Sequence, residues 1–257
     1  MKKLGRLLLV ALLITGLVAV AGCGDKQESD QKKLVVGTEA TFPPFETVDE
    51  KSGDYTGFDI DLINAIGKEM GYEIEIMHMG FEALIPALKT DQVDCTISAQ
   101  SITEKRLESI DFTDSYFDAG LIVAVPEANT DVTSYEDLGG KVLAAQIGTT
   151  GASWAQEMKE KNPKTEVKIF DGIGEAFMEL EKGGADAVIN DFAVTDYYIK
   201  TAGQGKVKMV GEMFSADEQY GIGVKKGNTE VLELLNEGLQ KIKDNGKYDE
   251  VYQKWFG

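Results

Sequence analysis

Strand-like and helix-like runs alternate along this chain, and the alternation starts twice. Residues 33–37 form a short apolar run. Residues 58–71 place Ile60, Ile63, Ile66 and Met70 at helical spacing, and Gly71 is suited to end that helix. Residues 72–77 alternate as a strand, 81–89 return to the helical period, and 93–97 read as a buried strand. After Pro126 the order begins again: a helical turn at 134–138, strand 141–146, helix 150–161, strand 167–170, helix 173–182 and strand 185–189. A strand at 221–225, a helix at 230–244 and the terminal K-Y-D-E-V-Y-Q-K-W-F-G complete the chain. Such alternation predicts α/β layers with parallel strands. Two α/β lobes with a cleft between them are the expected architecture.

The N-terminal end has a different character. Lys2, Lys3 and Arg6 precede the apolar stretch 7–20, and V-A-G-C follows at 20–23. A positive, then apolar, then small-residue order is that of a secretory signal, here residues 1–22, whose apolar part is shorter than the ~20 residues of a spanning helix. V-A-G-C also resembles a bacterial lipobox, which implies lipidation of Cys23 and attachment to the membrane surface. The polar segment 24–33 then reads as a tether. Cys95 is the only other cysteine and sits in the apolar run V-D-C-T-I-S, where it reads as a small core residue. With one histidine in the chain, a His/Cys metal site is not expected, and no cofactor is called for. The net charge of −18 argues against nucleic acid as a partner.

More specific signals lie in short motifs. G-F-D-I-D-L at 57–62, L-I-P-A-L at 84–88 and S-I-T-E-K-R-L-E-S-I-D-F-T-D-S-Y-F at 101–117 come first. D-L-G-G-K-V at 137–142, Q-I-G-T-T-G at 146–151, D-A-V-I-N-D at 186–191 and Y-Q-K-W-F-G at 252–257 follow. In this order they resemble the polar-amino-acid-binding proteins of ABC importers, solute-binding protein family 3. The resemblance implies the type II periplasmic binding fold: two α/β lobes with central mixed sheets, joined by two hinge strands. Lobe one would be 34–119 plus 219–257 and lobe two 120–218, with hinge segments near 119–124 and 213–219. It further implies a monomer that captures a free L-amino acid and delivers it to an ABC transporter permease.

A free amino acid presents a carboxylate, an ammonium and a side chain, and burying either charged end without a partner is costly. By resemblance, Arg106 in S-I-T-E-K-R takes the carboxylate, a task suited to a planar two-pronged guanidinium. Ala99 and Ser101 would assist with backbone and hydroxyl donors, beside Ser98. Thr150, preceded by Thr149, would add a hydroxyl and an N–H at a helix start. Asp191, closing D-A-V-I-N-D, matches the ammonium-binding aspartate and falls at a strand end, where open α/β sheets place ligand groups. Phe42 and Phe81 match aromatics that flank the ligand side chain. Taken alone, Arg106 also reads as a surface arginine, Asp191 as a helix N-cap and both phenylalanines as core.

Glu39, in G-T-E-A-T-F, stands where relatives often carry aspartate at the side-chain end of the ligand, and Gln146 would face the cleft there. If Arg106 and Asp191 satisfy the two charged ends, Glu39 still needs a donor. Lysine, arginine or histidine would supply a cation, glutamine or cystine a neutral or zwitterionic donor, and an acidic ligand is disfavoured. A basic amino acid is preferred on charge. No enzymatic activity is expected. The readings kept beside transport are a sensory amino-acid-binding protein and a cyclohexadienyl-dehydratase-like enzyme on the same fold.

Overall fold

The computed structural model describes residues 32–257. Cys23, the expected signal segment 1–22 and most of the expected tether lie outside the described residues. Among these, no helix is long and apolar enough to cross a membrane.

Two five-stranded sheets organise the described residues. The first contains β1 (Lys32–Thr38), β5 (Tyr72–His78), β6 (Cys95–Thr96), β7 (Ile110–Phe112) and β15 (Gly223–Lys225), in the order β5-β1-β6-β15-β7. The second contains β9 (Leu121–Pro126), β10 (Val142–Gln146), β11 (Glu166–Phe170), β12 (Ala187–Asp191) and β13 (Val207–Phe214), in the order β11-β10-β12-β9-β13. A short ladder of β2 (Thr41–Phe42), β3 (Glu46–Val48) and β4 (Tyr55–Thr56) lies between β1 and the first helix in the chain. The sheets are mixed in the same way. β15 runs antiparallel to β6 and β7, and β9 runs antiparallel to β12 and β13. In each sheet the strand that runs against the others is the one the chain enters by crossing over from the other sheet.

The two crossings lie side by side. β8 (Phe117–Asp118) and β14 (Gln219–Tyr220) pair antiparallel, and Phe214 pairs with Leu121 on the far side. Residues 121–125 are fully buried strand within the second sheet, so the first crossing is confined to Ala119 and Gly120, a shorter segment than 119–124. Gly120 faces the Met213 side chain and the Ala216 backbone where the two crossings touch.

Helices cover the sheets: α1 (Phe58–Met70), α2 (Leu84–Lys89), α3 (Glu104–Leu107), α4 (Thr150–Lys161), α5 (Ile173–Glu181), α6 (Phe192–Lys200), α7 (Thr229–Asp244) and α8 (Lys247–Phe256). α1 buries Ile60, Ile63 and Ile66 and ends at Gly71 in the left-handed region. α7 and α8 return to α1. Gly238 leaves room for Ile66, while Trp255 Nε1 and Lys254 Nζ both donate to Asp61 Oδ2, at 2.7 and 2.6 Å.

β1 starts at Lys32, inside the stretch read as tether. The polar composition hid the strand because its charges are matched across the ladder. Lys32 lies over the Tyr72 ring, and Lys33 approaches Glu73 and Glu75. Residues 81–89 begin with a 3-10 turn (Phe81–Ala83) before α2.

Candidate functional site

Strand ends from both sheets converge on one cavity. The wall from the first sheet comprises Phe42, Phe81, Ser98, Ala99, Ser101 and Arg106, and the facing wall comprises Gln146, Thr149, Thr150 and Asp191. The two walls lie close together, and the space between them is narrow. Of the residues singled out from the sequence, Glu39 alone is outside this lining. It is buried behind Gln146.

Arg106 is held by its own short helix. Thr103 caps α3 by accepting from the Arg106 N–H, which turns the side chain back toward the loop at Ser101. Nη1 donates to Ser101 O at 2.7 Å and Nη2 to Gly148 O at 3.1 Å, the second bond reaching the opposite wall. The guanidinium lies 5.3 Å from the Phe81 ring centroid. Burial pulls its pKa below the ordinary arginine value, opposed by the charges of Asp191 and Glu218.

The facing wall is shaped by the start of α4 and the end of β12. Thr149 caps α4 by accepting from Ala152 N at 3.1 Å, so the first turn of that helix opens on the cavity. A side chain at Gly151 would meet Ile189 O at 2.6 Å, so glycine is what lets α4 lie against β12. Asp191 occupies the N-cap position of α6, yet its side chain makes no capping bond. Instead Oδ1 accepts from the Tyr220 hydroxyl, contributed from the second crossing. Burial raises the Asp191 pKa to about 7, against the lowering effect of Tyr220. Tyr220 itself is pushed well above the usual phenol value by burial and by Asp191.

The side-chain end of the cavity is defined by Gln146. Its Nε2 donates to Glu39 Oε2 at 3.2 Å and to Asp171 O at 3.1 Å. Both partners are acceptors, so the amide can take only this orientation, and its Oε1 is left without a partner. Glu39 also accepts from the Thr41 hydroxyl, and burial raises its pKa. The donor demanded by Glu39 therefore comes from within the protein. The group left wanting a donor is Gln146 Oε1, on a side chain that lines the cavity.

Behind the first wall lies a pair of fully buried carboxyls that sequence reasoning missed, Glu46 and Asp59. Ser98 Oγ donates to Glu46 at 3.0 Å and accepts from Glu39 N at 3.0 Å. Asp59 Oδ2 accepts from Ala99 N at 2.7 Å and from the Tyr116 hydroxyl at 2.8 Å, which holds Ala99 at a φ of 44°. Burial raises the Asp59 pKa to about 7, and burial together with the Asp59 and Glu39 charges raises that of Glu46 well above the usual carboxylate range. Nothing in P-F-E-T-V or F-D-I-D-L marks these acids as buried. Both bind their protons more tightly folded than unfolded, so each stabilises most below about pH 4; the Asp59 contribution is lost as pH rises through about 7, and that of Glu46 is lost in the same direction. The melting temperature is expected to fall from about pH 5 to about pH 8, and Glu46→Gln should flatten that slope. A slope unchanged by Glu46→Gln in calorimetry would refute the raised pKa of this buried pair.

Paired α/β lobes, two adjacent crossings and a small polar cavity walled by strand ends of both lobes define a type II periplasmic binding protein. The chain belongs to the bacterial extracellular solute-binding proteins, family 3, whose family model matches residues 34–257. It is a solute-binding protein and not an enzyme. It is 34% identical over 257 residues to the "Probable histidine-binding protein" of Neisseria gonorrhoeae, covering 96% of this chain and 94% of that one. It is 33% identical over 276 residues to the "ABC transporter glutamine-binding protein GlnH" of Bacillus subtilis, covering 99% and 97%. Among solved structures, "An ancestral arginine-binding protein bound to arginine" superposes with a TM-score of 0.84 at 45% identity, covering 88% of this chain and 98% of that one.

Proposed function

We propose that this protein captures a free amino acid whose side chain donates hydrogen bonds, arginine, lysine or histidine ahead of glutamine, and delivers it to an ABC transporter permease. The observation that carries this reading is the placement of Arg106 and Asp191 on opposite walls of one small cavity. One is a carboxylate-seeking fork and the other an ammonium-seeking carboxylate, so a zwitterion bound between them satisfies both. Specificity for a donating side chain follows from Gln146, whose free Oε1 accepts while Glu39 fixes its amide from behind. The relatives support the choice, since they are named for binding histidine, glutamine and arginine.

In this reading the lobes comprise about 34–119 with 219–257, and 120–218, consistent with the sheets and the paired crossings. The protein acts as a monomer outside the cytoplasm. Support for cleavage before Cys23 and for a lipid anchor there comes from the order of charged, apolar and small residues alone.

A thermal-shift panel of the common amino acids tests the ligand class. A ligand at about 100 times its dissociation constant adds about 2.7 kcal/mol, a rise of about 5–10 °C for a protein of this size. Arginine, lysine or histidine should give the largest shift, glutamine or cystine the next, and glutamate and aspartate almost none. A larger shift with glutamate than with any basic or amide amino acid would overturn the assignment.

A further inference from the structure

The second crossing carries a buried carboxylate, Glu218, which the sequence does not single out. Its Oε2 accepts from Ser101 Oγ at 2.8 Å and from Thr150 Oγ1 at 3.0 Å, one hydroxyl from each lobe. Its Oε1 accepts from Ser215 Oγ at 2.7 Å. The backbone holds the carboxylate in place. Glu218 N donates to Ser215 O at 3.1 Å, and Glu218 O accepts from Ala119 N on the first crossing at 2.8 Å.

A serine or threonine hydroxyl has one proton, and a carboxylate only accepts. Ser101 and Thr150 both line the cavity, and both have given that proton to Glu218. What they can turn on a ligand is therefore lone pairs. Two acceptors are of no use to the ligand's carboxylate, the end for which these hydroxyls looked suited in the sequence. They suit an ammonium, and they line the same cavity as Asp191, which is bonded by the hydroxyl of Tyr220, the residue that pairs with Ser101 across an isolated bridge.

We propose that Glu218 is a positioning residue that commits the Ser101 and Thr150 hydroxyls as acceptors, so that with Asp191 they form the ammonium end of the site. The carboxylate end is then left to Arg106 and to the N–H groups at the start of α4. Because Glu218 is bonded to both lobes from the crossing that joins them, the acceptor pair is complete only when the two walls face each other. This inference rests on the amino-acid reading above.

Two substitutions separate acceptor, charge and bulk. Glu218→Leu removes the acceptor at similar volume. Glu218→Gln loses the charge but keeps a carbonyl oxygen whose two lone pairs can serve Ser101 and Thr150, with its NH2 turned to Ser215. Calorimetry is run with L-arginine and L-glutamine, and by competition with the same molecules lacking the α-amino group. Glu218→Leu should weaken binding of the amino acid at least about tenfold and of the counterpart without the amino group by less than about threefold. Glu218→Gln should stay within about threefold of the parent for both. Equal losses for both probes in Glu218→Leu, or a Glu218→Gln loss as large as that of Glu218→Leu, would overturn the assignment while leaving the capture reading intact. A parent protein that binds neither amino acid would overturn both.

Discussion

Replacing Arg106 with lysine should weaken binding of the captured amino acid about 10- to 150-fold, equivalent to about 1.5–3 kcal/mol. The loss follows from geometry and not from charge, which lysine retains. Arg106 spends two N–H groups on Ser101 O and Gly148 O, and these bonds with the Phe81 ring fix the plane of the guanidinium. The remaining N–H groups then stand ready in a fork that matches both oxygens of a carboxylate. A lysine ammonium can point at one oxygen, but it cannot also hold the two carbonyls with the same planarity. The bond to Gly148 O also joins the walls, so lysine weakens both ligand capture and the juxtaposition of the lobes. Titration calorimetry giving an unchanged dissociation constant would remove Arg106 from the site.

A still larger effect is expected at Asp191. Asp191→Asn should cost about 2–5 kcal/mol, a loss of about 30-fold to several thousand-fold, because it leaves a desolvated ammonium facing a neutral amide. The same residue should set the pH dependence. With its pKa raised to about 7, Asp191 is largely protonated in mildly acid solution. An ammonium ligand needs the ionised form, so binding releases a proton there and affinity should fall about tenfold for each pH unit below about 7. Asp191→Asn should bind weakly and with little slope over that range. A parent affinity that is flat between about pH 5 and about pH 8 would mean that Asp191 does not meet the ammonium.

The alternation of strands and helices was legible because α1, α4 and α5 each bury a regular apolar face, and each strand ends at a clear change of period. The cavity residues were legible through their motifs. Elements too short to show a period were not, as with β2, β3 and β4, of two or three residues each. α6 was missed because F-A-V-T-D-Y-Y-I-K is rich in β-branched and aromatic residues, which favour a strand when read locally. The residues that position the cavity were also hidden. Glu46, Asp59, Glu218 and Tyr220 act through partners far away in the chain, such as Tyr116 for Asp59 and Ser101 for Glu218, and no local pattern announces such pairings. That Glu39 bonds Gln146 and lies outside the cavity lining was likewise hidden, since this bond cannot be read from either residue's neighbours.

The strand order has a consequence for how the chain acquires its structure. All strands of the second sheet come from one continuous stretch, 121–214, so that sheet has its full complement before the last forty or so residues are needed. The first sheet does not. β15 lies between β6 and β7, so a chain emerging N-terminus first holds β5-β1-β6 and β7 as two unjoined pieces until residues 223–225 appear. Closing that gap requires pairing across more than one hundred residues of sequence, the kind of long-range contact that slows folding. The lobe that starts first in the chain is therefore the one that finishes last. Until it does, the edges of β6 and β7 are exposed templates for mispairing, at the stage when the chain is most vulnerable to aggregation.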